Sequence, residues 1–188
     1  MPATPPFADD TEAVAAALRG RQAGFGWLMQ EHRDAVFRYV RGHVRDEGEA
    51  LDITQECFVS AFAALHRFDP ARNFRTWLLA IAVNKCRDWA RKRAVRRFFT
   101  FAAPLDDALP LADDAPDPEA ATSSAQQVER IRTALAALPA KLREPLLLCT
   151  LEGMSQADAA DVLGINRKAV ETWIYRARAK LSEQLHEG

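Results

Sequence analysis

Cysteine is scarce. Cys57, Cys86 and Cys149 stand far apart among 188 residues, with no C-x-x-C pair. An odd, scattered set suits small buried thiols in a reducing compartment better than a disulfide framework. The four histidines add no ligand-spaced Cys/His cluster, so no metal site is expected. There is no glycine-rich phosphate loop and no grouping of histidine with carboxylates in one segment. Neither cofactor nor catalytic residue is expected, and an enzyme is disfavoured. Long apolar runs are also missing. The longest, Trp77 to Val83, is far below the ~18 residues of a membrane span, which argues against membrane insertion. The opening MPATPPFADD lacks the basic and apolar regions of a secretory leader, so a cytoplasmic site is expected. No stretch alternates with period two, which leaves an all-α fold.

An excess of charge of one sign is the last absence. The formal net charge is −1, so no global argument for nucleic-acid binding holds. That total hides strong segregation. Residues 1–20 sum to −2, 21–45 to +3, 46–56 to −5, 57–97 to +8, 98–125 to −6 and 126–188 to +1. One basic block lies between two acidic ones, so different segments face different partners.

Helical signals fill most of the chain. Asp9, Asp10 and Thr11 are cap-type residues ahead of an alanine-rich helix. Phe25, Leu28, Met29, His32, Val36, Phe37 and Val40 recur at helical spacing. Helix continues from Asp46 to Leu65, with Ile53, Phe58, Ala61, Phe62 and Leu65 on one face. The stretch HRFDPARNF reads as a loop around Pro70. From Thr76 to about Arg97 helix resumes, apolar first and basic later. Residues 98–125 then carry four prolines, six acids and no Lys or Arg, which reads as an acidic linker. After it come a helix ending near Ala137, a turn at Pro139, and a helix to Gly153 in which Pro145 predicts a kink.

The segment SQADAADVLGINRKAVETWIYRARAKL, residues 155–181, carries the sharpest local signal. Ser155 and Asp158 form a capping-box-like pair. Gly164 supplies a left-handed turn. Asn166 caps a second helix, in which Val170, Ile174, Ala177 and Leu181 face inward. This is the outline of a helix-turn-helix whose second helix enters the major groove. Its outer face carries Arg167, Lys168, Glu171, Thr172, Tyr175, Arg176 and Arg178. Arg and Lys reach guanine or phosphate, whereas Glu171 repels phosphate and can accept from a cytosine amine. The plain alternative is a helical hairpin with a solvated charged face.

Residues 49–93, EALDITQECFVSAFAALHRFDPARNFRTWLLAIAVNKCRDWARKR, widen the picture. With the acidic linker and ALAALPAKLREPLLLCTLEGMSQADAADVLG, the chain from about residue 20 to 185 resembles an extracytoplasmic-function (group 4) sigma factor of bacterial RNA polymerase. The resemblance implies two small helical domains, regions 2 and 4, on a flexible acidic linker. The expected boundaries are an N-terminal segment 1–20, region 2 over 21–97, linker 98–125 and region 4 over 126–188.

The resemblance also implies roles. Asp52, Gln55 and Glu56 would dock on the clamp helices of the beta-prime subunit. Carboxylates there suit a protein partner better than DNA, with a solvated helical face as the alternative. Phe68, Asp69, Arg72 and Asn73 would capture a flipped base of the minus-ten element, with Asn84 beside the same DNA. Phe68 and Phe74 are equally suited to core packing, and Trp77 more so. Arg87, Arg91, Lys92 and Arg93 would hold phosphates during melting. The outer face of the last helix would read the minus-thirty-five element, and region 4 would meet the beta flap. The linker would thread towards the RNA exit channel. Glu171 and Trp173 stand where many family members carry small or basic residues, so the element read is expected to be unusual. A regulating anti-sigma factor is expected to be a separate protein. The rival reading is a stand-alone helix-turn-helix regulator, for which no dimerising heptad seam is visible.

Overall fold

The computed structural model describes residues 6–102 and 123–186, and every regular element among them is helical. The first bundle contains α1 (Asp10–Leu18), α2 (Gln22–Arg41), α3 (Glu47–Ala64) and α4 (Phe74–Ala102), with a 3-10 turn at Leu65–Arg67. The second contains α5 (Ser123–Ala137), α6 (Ala140–Leu146), a π turn (Leu147–Leu151), α7 (Gln156–Leu163) and α8 (Arg167–His186).

Local chemistry sets most of the ends. The Asp9 side chain accepts from the Glu12 amide at 2.9 Å, and Glu12 accepts in return from the Ala8 amide at 2.8 Å. This reciprocal cap starts α1, which buries Ala13, Val14, Ala16 and Ala17 against α2. The N-terminal segment is therefore an integral helix of the first bundle, joined by Phe7, whose ring meets Trp27 edge to face. Asp46 caps α3 through the Glu49 amide, and Asn73 caps α4 through the Thr76 amide at 3.0 Å. The α2 stripe forms as its spacing predicts: Leu28, His32, Val36 and Val40 are buried, while Met29 stays exposed.

Two ends differ from the sequence expectation. α4 runs past Arg97 to Ala102, because nothing before Pro104 breaks it. α5 begins at Ser123. What remains of the expected linker, residues 103–122, lies outside the described residues. Pro145 does more than kink its helix. It has no amide to donate to the turn before it, and just beyond it the ladder widens to i→i−5, with the Glu152 amide reaching the Leu147 carbonyl at 3.1 Å.

The two bundles share one buried core. Leu138, Leu142, Leu147 and Leu148 continue the apolar cluster of Tyr39, Val44, Leu79 and Val83. At the closest approach Leu147 lies over Gly42, where an added Cβ would stand 2.6 Å from a leucine methyl.

Candidate nucleic-acid interface

α8 presents the surface that its sequence pattern predicts. Ser155 caps α7 through the Asp158 amide at 3.1 Å, Gly164 turns the chain at φ +69°, and the Asn166 side chain accepts from the Ala169 amide at 2.8 Å. Val170, Ile174 and Ala177 are buried; Leu181 is half-buried at the rim. Arg167, Lys168, Glu171, Tyr175, Arg176 and Arg178 are exposed, Tyr175 at 76%. Lys168, Glu171, Tyr175 and Arg178 follow i, i+3, i+7 and i+10, so they share one stripe. Thr172 is half-buried and spends its hydroxyl proton on the Lys168 carbonyl at 2.8 Å. Trp173 packs against the core, which accounts for an aromatic residue there.

The loop before α4 is ordered by its own polar groups. Asp69 accepts from the Ala71 amide at 3.0 Å and lies 3.9 Å from Arg72; Asn73 is committed to its cap. Asp69, Arg72 and Asn73 are exposed. Phe68 is not: it is 8% exposed and packs edge to face on Phe74 and against Trp77. Of its two uses the structure takes core packing, because three rings at 5.2–5.7 Å from one another remove more apolar surface than a loop tip could. Phe68 anchors the loop.

Beyond the loop, Asn84, Arg87 and Arg91 follow i, i+3 and i+7 along α4. Asn84, Arg91, Lys92 and Arg93 are exposed. The Arg93 guanidinium lies 5.3 Å from the Trp89 ring centroid, a cation–π contact that holds it to the helix. Arg91 pairs with Asp88. Arg87 is engaged by the other bundle: its Nε and Nη2 donate to the Glu144 carboxylate at 2.9 and 2.7 Å.

Asp52, Gln55 and Glu56 are exposed together on α3, away from buried Phe58. They line a shallow groove with Val59, Ser60 and Lys85. Val59, one turn beyond Glu56, is 69% exposed and adds an apolar residue to the end of this acidic face, which the charge count did not reveal. Lys85 reaches Glu56 at 3.3 Å.

Comparison with known proteins fits this arrangement. Residues 28–96 match the family Sigma-70 region 2, and residues 128–181 match Sigma-70, region 4. The RNA polymerase sigma factor CnrH of Cupriavidus metallidurans is 41% identical over 94% of both chains. NccH of Alcaligenes xylosoxydans xylosoxydans is 40% identical over 97% of both. The chain belongs to the sigma-70 family, as an extracytoplasmic-function sigma factor. Among solved structures, CnrH in complex with the cytosolic domain of CnrY superposes with a TM-score of 0.72 at 34% identity, covering 95% of this chain and 97% of that one. The sigma factor RpoE bound to the anti-sigma factor NepR from Bartonella quintana shares the fold, with a TM-score of 0.69 at 22% identity over 86% of this chain and 96% of that one.

In this sigma factor, then, the first bundle is region 2 and the second region 4. No described helix is long and apolar enough to cross a membrane. Sequence reading missed the residues that join the two regions. The Glu152 carboxylate, its side chain fully shielded, accepts from Arg38 at 3.1 and 3.3 Å and from Arg75 at 2.6 Å. Arg75 also donates to the Glu152 carbonyl at 2.8 Å. These partners lie 77 and 114 residues apart in sequence, and no periodicity connects them. Against the Tyr39 ring, His43 is buried with its Nε2 unpartnered. Burial, and next the charges of Arg143 and Arg87, hold its pKa well below the ordinary 6.5.

Proposed function

We propose that this protein directs core RNA polymerase in the cytoplasm to a set of promoters and helps to melt them. The observation that carries this is the pairing of two family-matched regions in one chain. One bears an acidic face edged by an apolar residue, and a basic helix behind a polar loop; the other bears an exposed helix-turn-helix. A stand-alone regulator has no use for the first set.

Asp52, Gln55 and Glu56, with Val59 one turn beyond them, suit docking on the beta-prime clamp helices, where apolar contact and charge give affinity and steering. Asp69, Arg72 and Asn73 offer hydrogen bonds to an unstacked minus-ten base, over a floor fixed by Phe68. Asn84, Arg87, Arg91, Lys92 and Arg93 suit the phosphates of the opened strand. Arg167, Lys168, Glu171, Tyr175, Arg176 and Arg178 suit the major groove at the minus-thirty-five element, with Thr172 supporting the helix. Region 4 would also meet the beta flap. Because CnrH and RpoE were each solved with a partner, and RpoE's is an anti-sigma factor, we extend control by a separate anti-sigma protein to this chain.

Run-off transcription on genomic promoter fragments tests the reading. Core polymerase should give discrete transcripts only when this protein is added, and the protein alone should shift promoter duplex weakly. Tight, sequence-specific binding without polymerase, and no transcripts with it, would favour a stand-alone regulator.

A further inference from the structure

The last turns of α4 expose side chains that a core normally hides. Val95 is 54% exposed, Phe98 71% and Phe99 65%. The two rings meet edge to face, with centroids 5.8 Å apart. Arg91, Lys92, Arg93 and Arg96 are exposed among them, and no acid follows Asp88 on the helix. We propose that Phe98 and Phe99 form a stacking platform for unpaired bases, with the neighbouring cations holding phosphates of the same strand. That the strand comes from the opened promoter rests on the sigma-factor reading above; the affinity for an unpaired strand does not.

Placement supports it first. Asn84, Arg91, Val95 and Phe98 stand at i, i+7, i+11 and i+14, so they share one stripe of α4. Phe98 therefore continues the line of residues suited to the opened strand, about 21 Å beyond Asn84 at 1.5 Å per residue. Phe99 follows Lys92 at i+7 on the adjoining face. The chemistry agrees. An aromatic ring offers its face to any unstacked base, and cations track the phosphates, which is how strands are held without sequence preference. A duplex keeps its bases stacked on one another and offers no such face. The mixture of residues also favours a strand over a protein. Single exposed apolar residues are ordinary, but three within two turns make a patch. The centre of a protein interface is depleted of lysine and other charges. Here each apolar residue lies within one turn of a cation along the helix, the pattern of a nucleic-acid surface.

The test measures binding of the full chain to labelled single strands by fluorescence anisotropy. Oligothymidylate should bind at least about 5-fold more tightly than an abasic strand with the same number of phosphates, the low end of one base–aromatic stack. F98A with F99A should abolish that preference and leave the salt slope unchanged, because no cation is lost. F98W with F99W should keep the preference. F98L with F99L, apolar but without a π face, should lose it. Both rings are exposed, so every variant should keep the helical circular dichroism of the unmodified chain. Binding to a duplex should not respond to the ring changes. Equal affinity for base-bearing and abasic strands, or leucine variants that bind as tightly as the unmodified chain, would overturn the platform. An alanine variant that loses affinity for core polymerase but not for the strand would overturn it too, and make the pair a protein contact. Tighter binding of oligouridylate than of oligothymidylate would overturn the promoter strand as occupant in favour of RNA. If core polymerase yields no transcripts but the strand preferences hold, the sigma-factor reading falls and the platform stands.

Discussion

Glu171 holds the least expected position on the recognition helix. It is exposed in the stripe with Lys168, Tyr175 and Arg178. A carboxylate there accepts from cytosine N4 and disfavours bases that offer only acceptors. Glu171→Ala should relax base preference at one or two positions of the minus-thirty-five element, losing about 1–3 kcal/mol of discrimination per contact. Arg178→Ala should weaken all promoters alike and flatten the salt dependence by roughly one phosphate contact. A promoter library randomised at that element separates the two; uniform loss in Glu171→Ala would make it a packing residue. On region 2, reversing the charge of Asp52 and Glu56 should slow association with core polymerase and alter its salt dependence, while costing at most about 1 kcal/mol of stability through the exposed Lys85–Glu56 pair. Competition against a reference sigma factor reads this directly. These residues were legible because helical period and exposure go together. Phe68 was not, since a ring beside a loop is equally consistent with core and with ligand until its neighbours are placed.

At the scale of the element, the helix-turn-helix was readable because its caps are local. Gly164→Ala puts a Cβ in the left-handed region with nothing within 4 Å, so its cost is conformational alone, about 1–2 kcal/mol. Asn166→Ala removes the α8 cap and should cost about 1 kcal/mol. Urea unfolding should give both, with unchanged slope; a larger loss for Gly164→Ala would mean that the turn has hidden contacts. The joint between α2 and α4 and region 4 behaves differently. His43 is buried there against the Tyr39 ring, with Arg143 of α6 and Arg87 of α4 disfavouring its charged form. Its pKa is lowered on folding, so its contribution is complete above about 6.5 and is lost as pH falls below it. The packed form should lose stability on acidification from pH 6.5, with a slope of up to about 1.4 kcal/mol per pH unit. His43→Leu should remove that part of the slope; an identical pH profile would assign the dependence elsewhere.

The whole molecule buries thiols in a chain that forms no disulfide among its described cysteines. Burial pushes the Cys57 pKa up to about 12 and raises that of Cys86 as well, while Cys149, also raised by burial, is only half-buried. A thiol reagent at neutral pH should therefore modify Cys149 first, and Cys57 and Cys86 only on unfolding. Mass spectrometry of the time course checks this, and early labelling of Cys57 would mean that region 2 opens locally.

The sequence by itself determined the helical class, the caps, the segregation of charge and the outward face of α8, because each depends on residues within one or two turns of one another. It also carried the family resemblance, through the order and spacing of its segments. Only the tertiary structure decided that Phe68 belongs to the core, that α1 completes the first bundle, and that Val59 stands exposed among the acids of α3. Above all it decided that Glu144 and Glu152 meet arginines 57 to 114 residues away. An ion pair between distant segments leaves no period in the chain: a glutamate on a helix looks the same whether it faces water or a guanidinium, and only packing tells them apart.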